Sequence, residues 1–185
     1  MEVLHTTTID SPVGPLFLAA SATGLVALEF DRRLPGQPSI RPNPRDVRRE
    51  NTNARAQKVR FQFEDSPDRM QPYVSELQEY FAARRHAFSF PLNLRGTDFQ
   101  LACWRALLAI PYGETRTYAD IARAVKKCSA FRAVGMANNR NPIAIVVPCH
   151  RVIASDGSLC GYGGGLEVKR KLLELEGALT AVLAA

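Results

Sequence analysis

The sequence has no run approaching the roughly 18 apolar residues that a membrane-spanning helix needs. Its first residues, Met-Glu-Val-Leu-His, lack the basic start and the apolar core of a signal peptide. The four cysteines show no Cys-x-x-Cys spacing and all fall in the second half of the chain, which argues against a disulfide scaffold or a cysteine-based zinc site. We therefore expect a protein of the cytoplasm or nucleoid, with reduced thiols and no contact with membranes.

The composition is that of a globular protein. With 185 residues, of which 46% are hydrophobic, the chain can bury one good core or two small ones. The formal net charge of +6 allows a polyanionic partner but does not prove one, because many proteins are this basic.

The first third of the chain is predicted to form strands. Short β-rich runs at 3–9, 15–20 and 25–30 are separated by turn signals, and an antiparallel meander is the simplest topology. Helical spacing of apolar residues follows at 70–84, and then an extended linker at 88–94.

The segment between these elements, at about 31–60, is rich in arginine and proline. It cannot bury enough apolar area to offset its ordering entropy, so we expect a mobile, solvated loop. A second interpretation, that it contacts nucleic acid phosphates, stays open.

The second half contains clear helix-start signals. Thr97-Asp98-Phe99-Gln100 and Thr117-Tyr118-Ala119-Asp120 both fit the capping box, and Ser129 can cap a third helix at about 130–139. Two short helices with a tight connection are typical of a helix-turn-helix, although a small helical bundle gives the same spacing.

The third helix carries unusually small side chains at Ala133, Gly135 and Ala137. Gly135 costs a helix about 1 kcal/mol relative to alanine. We therefore expect that the smooth surface allows a close contact which offsets this cost. Either another helix packs closely on it or a nucleic acid groove approaches it. Arg132 would project from this surface, or it is an ordinary solvent-facing charge.

The apolar run 143–147 ends at Pro148 and is followed by a thiol, an imidazole and a guanidinium, those of Cys149, His150 and Arg151. The run predicts a buried segment, with Cys149 at the floor or rim of a pocket. A cysteine beside a histidine has a route to the nucleophilic thiolate, whereas a buried structural cysteine is the plain alternative. Farther on, Glu176 precedes the Gly177 stop and opposes the helix dipole, which hints at a functional reason.

Together these motifs resemble the O6-alkylguanine-DNA alkyltransferases, also called methylated-DNA-protein-cysteine methyltransferases. The resemblance covers nearly the whole chain except 31–60. The matching blocks are Ser11-Pro-Val-Gly-Pro-Leu16, Gly24-Leu25, Leu28-Glu-Phe30, Gly96-Thr-Asp-Phe-Gln100, Ile110-Pro-Tyr-Gly-Glu-Thr115, Arg132-Ala-Val-Gly135, Asn141-Pro142, Pro148-Cys-His-Arg-Val152, Gly161-Tyr-Gly-Gly-Gly165 and Leu172-Leu-Glu-Leu-Glu-Gly177.

The resemblance implies a two-domain fold. We expect an α/β N-terminal domain at 1–92, with a three-stranded antiparallel sheet and a helix in a ribonuclease H-like arrangement. A mainly α C-terminal domain with a winged helix-turn-helix would occupy 96–177, followed by a tail at 178–185.

The resemblance also implies a single-turnover repair reaction on double-stranded DNA. Such proteins rotate an O6-alkylated guanine out of the stack and transfer the alkyl group to their own cysteine, here Cys149. Glu176 would hold His150, which takes the proton of Cys149 through a water molecule. Tyr118 would assist the departure of guanine.

The resemblance assigns further roles around the reacting cysteine. Arg132 would fill the hole left by the flipped base, and Asn141 would tie the helix-turn-helix to the active-site segment. The remaining expected contacts to DNA or the base are Ala133, Gly135, Ala137, Val152, Tyr162, Gly163 and Gly164. We expect a monomer, with cooperativity on DNA and reaction with O4-alkylthymine both open. No cofactor is expected, and no metal, because the zinc site of some relatives uses N-terminal cysteines that this chain lacks.

The chain departs from the family pattern in the helix-turn-helix. Lys126 and Cys128 stand where the family usually has glycine and proline, and Asn139 replaces a glycine. The turn is therefore expected to differ in shape. Two other classes stay open: a lesion sensor without repair activity, which would lack the acceptor cysteine, and a plain winged-helix regulator.

Overall fold

The computed structural model describes residues 1–30 and 61–179. The basic loop predicted at about 31–60 and the end of the predicted tail, 180–185, lie outside the described residues. The chain divides into two units, Met1–Thr97 and Asp98–Ala185.

The first unit is built on a four-stranded sheet with the order β3-β2-β1-β4. β1 (Glu2–Ile9), β2 (Leu16–Ser21) and β3 (Gly24–Phe30) form the predicted antiparallel meander. Apolar residues of these strands are buried, among them Leu4, Leu18 and Leu28. The β-rich runs and the turn signals between them thus predicted this part of the sheet correctly.

The prediction of three strands needs a correction, because β4 (Phe61–Asp65) adds a fourth that runs parallel to β1. Its apolar positions, Phe61 and Phe63, pack against the cluster around Leu4. The strand alternates apolar and polar residues as an edge strand should. Its partner lies far away along the chain, so no hairpin signal marked the pairing.

After the sheet, the described part of this unit contains one helix, α1 (Pro67–Phe81), which begins and ends a few residues earlier than the predicted 70–84. The proline in its first turn has no backbone N–H to lose, which suits that position. The buried residues Met70, Val74 and Leu77 recur at helical spacing and define the face turned to the core.

The segment predicted as an extended linker at 88–94 is tied to the start of β3. The main-chain nitrogen of Leu25 donates to the carbonyl of Pro91 (2.9 Å), and that of Asn93 donates to the carbonyl of Leu25 (2.8 Å). Gly24 has φ +141°, and a Cβ built there would lie 2.5 Å from the carbonyl oxygen of Pro91. Only glycine therefore fits at this crossing without a shift of the backbone.

The second unit is mainly helical, as expected. Its elements are α2 (Asp98–Leu108), β5 (Arg116–Thr117), α3 (Tyr118–Ala124), α4 (Phe131–Asn139), a 3₁₀ turn (Cys149–Arg151), β6 (Val152–Ile153) and α5 (Leu166–Leu175). β5 and β6 pair in parallel. Of the predicted tail at 178–185, the structure describes Ala178 and Leu179, which are buried with Leu173 in a small apolar cluster.

The capping residue predicted from the sequence is correct for α3 but not for α4. The predicted capping box is present at α3, where Thr117 and Asp120 bond each other's backbone N–H. The prediction that Ser129 caps the next helix is wrong. The main-chain nitrogen of Ala130 donates to the carbonyl of Lys127 (2.8 Å), and this turn makes Ala130 the residue that precedes α4.

The connection between α3 and α4 places Lys126 at φ +57°. This is the left-handed region, which glycine adopts at little cost. The lysine that departs from the family pattern therefore occupies the backbone conformation that the usual glycine would favour.

Across residues 1–30 and 61–179, no helix combines the length and apolar character needed to cross a membrane.

Candidate active site

Two tight turns carry the chain into Cys149. Ile145 has φ +70°, and the nitrogen of Val146 donates to the carbonyl of Ala144 over 2.8 Å, which forms a γ-turn of the strained, positive-φ kind. At Pro148 (φ −82°, ψ 63°) the nitrogen of Cys149 donates to the carbonyl of Val147 over 2.8 Å, an inverse γ-turn. The predicted buried run is therefore an irregular segment with two tight turns and not a strand. It leads directly into the 3₁₀ turn that begins at Cys149.

The sulfur of Cys149 is held by Asn141, the second residue after α4. The amide nitrogen Nδ2 of Asn141 donates to the carbonyl of Val147 (2.7 Å) and to Sγ of Cys149 (3.1 Å). Its Oδ1 accepts from the main-chain nitrogen of Ile143 (3.0 Å). One amide side chain therefore connects the end of α4 to the segment that carries the thiol.

A buried ion cluster lies directly beside the cysteine. Nε2 of His150 lies 2.9 Å from Oε1 of Glu176, and Arg151 reaches both oxygens of the same carboxylate, at 2.8 Å from Nε and 2.9 Å from Nη2. Arg151 also donates to the carbonyl of Ile110 (2.6 Å). The side chains of His150 and Glu176 are fully buried, so a paired carboxylate at the end of α5 explains why Glu176 opposes the helix dipole.

The pKa values around this cluster fix the protonation states. Burial raises the pKa of Glu176, but the hydrogen bonds and positive charges of His150 and Arg151 outweigh burial and lower the pKa to about 2. Burial lowers the pKa of His150, and its bond to Glu176 offsets only part of this. At neutral pH a neutral imidazole therefore faces a carboxylate.

The tautomer of His150 follows from these states. A carboxylate only accepts hydrogen bonds, so Nε2 of His150 must donate to Glu176 and Nδ1 carries the lone pair. No described residue donates a hydrogen bond to Nδ1. Its lone pair is thus available to take a proton.

Cys149 needs such help to ionise. The residue is only 8% exposed. Burial raises the pKa of the Cys149 thiol, while the hydrogen bond from Asn141 and the charge of Lys169 lower it by smaller amounts. The thiol is thus the resting form, and a base must act before it can attack.

Tyr118, the first residue of α3, faces the thiols. Burial, a hydrogen bond with the thiol of Cys160 and the proximity of Cys149 all raise the pKa of Tyr118. The phenol therefore keeps its proton at neutral pH and can donate it.

Two charged residues near the site are absent from the sequence-based predictions of site residues. Arg151 stands next to the predicted His150, so its place in the motif was a usable signal. Lys169 on α5 is fully buried and donates from Nζ to the carbonyls of Val152 (2.5 Å) and Cys160 (2.9 Å). Nothing in the local sequence distinguishes it from Lys171, the exposed lysine of the same helix.

The residues predicted on α4 separate into two faces. Arg132 and Ala133 are exposed, whereas Gly135 is half-buried and a Cβ there would lie 3.8 Å from the Tyr118 ring. Ala137 must be corrected from a DNA contact to a packing residue. It is 2% exposed and its carbonyl accepts from Nε1 of Trp104 (3.0 Å), because it lies on the core face one turn after Val134.

The residues predicted to contact the base after the 3₁₀ turn also differ in how exposed they are. The side chain of Val152 is fully buried, and its carbonyl is engaged by Lys169. The ring of Tyr162 lies edge-on to that of His150, with ring centres 6.4 Å apart. Gly163 is exposed and Gly164 is half-buried. A Cβ at Gly163 would contact nothing, so packing does not require glycine there.

Two family profiles together match most of the chain. The one described as 6-O-methylguanine DNA methyltransferase, ribonuclease-like domain, matches residues 4–94, and the one described as 6-O-methylguanine DNA methyltransferase, DNA binding domain, matches residues 98–178. These matches confirm the expected ribonuclease-like N-terminal domain and the DNA-binding C-terminal domain.

Individual relatives agree with the profiles. The methylated-DNA-protein-cysteine methyltransferase of Mycobacterium bovis is 45% identical over 94% of this chain and 93% of its own length. The enzyme of that name from Methanosarcina barkeri is 43% identical over 91% of this chain and 94% of its own length. The crystal structure of Mycobacterium tuberculosis OGT in complex with DNA matches with a TM-score of 0.74 and 44% identity, over 93% of this chain and 92% of the other. The chain therefore belongs to the 6-O-methylguanine DNA methyltransferase family.

Proposed function

We propose that this protein repairs DNA by moving an alkyl group from O6 of guanine to the sulfur of its own Cys149. In the transfer the carbon–oxygen bond breaks, a carbon–sulfur bond forms, and guanine keeps the bonding electrons and takes up a proton. The observation that carries the proposal is the joint placement of a thiol held by Asn141 and the buried His150–Glu176 pair. Since the thioether is stable, each molecule reacts once.

His150 is the proposed base. Glu176 fixes the tautomer that leaves Nδ1 as the acceptor, and it stabilises the imidazolium once the proton arrives. His150 follows Cys149 directly in the 3₁₀ turn, so a bridging water is the proposed path between sulfur and Nδ1.

Tyr118 is the proposed acid for the leaving group. Its phenol stays protonated because burial and Cys160 raise its pKa. A hydrogen bond from this phenol to a ring nitrogen of guanine would offset the negative charge that develops as the carbon–oxygen bond breaks.

The proposed DNA-binding surface is the exposed side of α4. Arg132 and Ala133 are exposed there, and Gly135 adjoins the ring of Tyr118. The helix that meets DNA would thus touch the residue that meets the extruded base. We propose that Arg132 takes the place of the flipped guanine, and that Tyr162, Gly163 and Gly164 contact the base, whereas the buried Val152 has no surface left for it. The relative whose structure contains DNA supports DNA as the partner, and we propose that the substrate is double-stranded.

The protein is proposed to act as a monomer in the cytoplasm, associated with the nucleoid during repair. O4-alkylthymine is a second candidate substrate, since it carries the same alkyl–oxygen linkage beside a ring nitrogen.

Mass spectrometry tests the reaction directly. After incubation with a duplex containing O6-methylguanine, each chain should gain one methyl group, and peptide mapping should place it on Cys149 rather than on the exposed Cys128. The same duplex without the methyl group is the control, and Cys149→Ala should gain nothing. Binding of the methylated duplex without any gain in mass would instead indicate a lesion sensor and would refute the repair function.

A further inference from the structure

Lys169 carries a buried charge, and none of the proposed steps of the reaction uses it. Its side chain is fully buried on α5, and no described carboxylate pairs with it. A buried ammonium without a counter-charge is costly, so its presence calls for a compensating partner. Lys171 on the same helix shows the ordinary alternative, because it is exposed and pairs with Glu167 (3.2 Å).

The contacts of Lys169 point toward the reacting sulfur. Nζ donates to the carbonyl of Val152, the residue directly after the 3₁₀ turn that Cys149 begins, and to the carbonyl of Cys160. An ammonium has three N–H donors, so one remains after these two bonds. The same nitrogen therefore joins the two backbone segments that follow or contain the thiols, and its charge interacts with both Cys149 and Cys160.

We propose that Lys169 is a positioning residue for alkyl transfer, whose ammonium fixes the segments carrying Cys149 and Cys160 and stabilises the thiolate of Cys149. The inference rests on the proposed function, since it assumes that Cys149 is the acceptor. The electrostatic coupling acts in the direction that the proposal requires. Burial lowers the pKa of Lys169, the charges of Cys160 and Cys149 offset part of this effect, and the charge of Lys169 in turn lowers the pKa of Cys149.

Other titratable groups face the same thiols and must be separated from Lys169. Cys160 and Tyr118 share a hydrogen bond, and both interact electrostatically with Cys149 or Lys169. His150, held by Glu176, also senses the charge of Lys169. Arg151 is engaged by Glu176, so its charge is largely balanced. Substituting Lys169 alone leaves all of these groups chemically unchanged, so a change in the profile can be assigned to the loss of this one side chain.

The test follows the alkylation of Cys149 by iodoacetamide as a function of pH, with peptide mapping to isolate this cysteine from the others. In Lys169→Met the rise in rate should move to higher pH, and the rate at neutral pH should fall by about tenfold, as expected when a close counter-charge is removed. Lys169→Arg keeps the charge and should stay nearer to the wild type. Lys171→Met, on the same helix, should keep the wild-type profile.

The outcomes separate an electrostatic role from a merely structural one. A folded Lys169→Met protein with an altered melting temperature but the wild-type pH profile would overturn the proposal. Iodoacetamide needs neither DNA nor guanine, so a Lys169-dependent profile combined with no methyl transfer from DNA would count against the proposed function alone.

A second measurement avoids substituting Lys169. In the wild type, the ¹⁵N resonance of the Lys169 side chain should shift at the pH where Cys149 ionises, because the two charges stabilise each other. That inflection should vanish in Cys149→Ser. A resonance that follows the same curve in both proteins would show that Lys169 does not sense the thiolate, and the proposal would fail.

Discussion

The side-chain amide of Asn141 donates a hydrogen bond to the sulfur of Cys149 over 3.1 Å, and the same nitrogen donates to the carbonyl of Val147 over 2.7 Å. The two hydrogens of one amide thus serve the nucleophile and the turn that presents it. This arrangement makes the position of the sulfur depend on a residue at the end of the proposed DNA-binding helix.

Asn141→Ala should therefore impair both reactivity and stability. Transfer from free O6-benzylguanine should slow by about tenfold to a hundredfold, since small misplacements of reacting groups cost this much. The free energy of unfolding should fall by about 1 to 3 kcal/mol, because the buried carbonyl of Val147 loses one of its two donors and the buried main-chain nitrogen of Ile143 loses the oxygen of Asn141 as its acceptor. Asn139→Ala, an exposed neighbour on α4, is the control for both measurements. An Asn141→Ala protein with the wild-type transfer rate would show that the bond to sulfur does not matter.

The buried pair of His150 and Glu176 should make the fold sensitive to acid. The pKa of Glu176 falls from its ordinary 4.5 to about 2, so the unfolded chain binds this proton more readily than the folded one. Its contribution to stability is present above pH 4.5 and is lost as the pH falls toward 2. The lowered pKa of His150 acts in the same direction, beginning as the pH falls below 6.5.

Glu176→Gln tests this prediction through thermal unfolding at a series of pH values. At neutral pH the substitution should cost about 3 kcal/mol, because it leaves the buried guanidinium of Arg151 without its carboxylate. Below pH 4.5 the stability of the variant should depend less steeply on pH than that of the wild type. The exposed Glu174→Gln on the same helix should change the stability by less than about 0.5 kcal/mol. Parallel pH dependences for Glu176→Gln and wild type would contradict the assignment.

Gly24→Ala should destabilise the N-terminal unit by about 2 to 4 kcal/mol, which combines an unfavourable φ with a steric clash. The backbone has φ +141°, and the new Cβ would lie 2.5 Å from the carbonyl oxygen of Pro91. Gly14→Ala separates the two effects, since Gly14 has φ +100° but open space around its Cβ position. It should cost only about 1 to 2 kcal/mol in denaturant unfolding. Equal losses in the two variants would show that the contact with Pro91 is unimportant.

The sequence predicted those features that local chemistry determines. Thr117 and Asp120 form a capping box because both partners lie within one turn of the helix. The sequence also predicted the three strands of the meander, because short turns connect them. β4 was missed because its pairing with β1 joins residues far apart in the chain.

Buried charge was the other feature that the sequence could not reveal. Arg151 and Lys169 have the residue types of surface positions, and only tertiary packing decides that one pairs with Glu176 and the other bonds backbone carbonyls. Ala137 was misplaced for a related reason. Its small side chain suits either a DNA groove or the close approach of Trp104, and only the tertiary structure decides between the two. The family resemblance named His150 and Glu176 correctly as neighbours, which spacing along the chain could not do.

Arg132 should matter for duplex DNA and not for the chemistry itself. It is exposed on α4, whereas Cys149 and Glu176 are buried, so its loss leaves the reacting groups in place. In Arg132→Ala, repair of O6-methylguanine in a duplex should slow by about tenfold or more, because the unstacking cost of a flipped base is a few kcal/mol. Transfer from free O6-benzylguanine requires no flipping and should keep its wild-type rate. Arg105→Ala, an exposed arginine on α2, should affect neither reaction. If Arg132→Ala slowed both reactions equally, Arg132 would be acting on the active site itself, and its role in extruding the base would have to be abandoned.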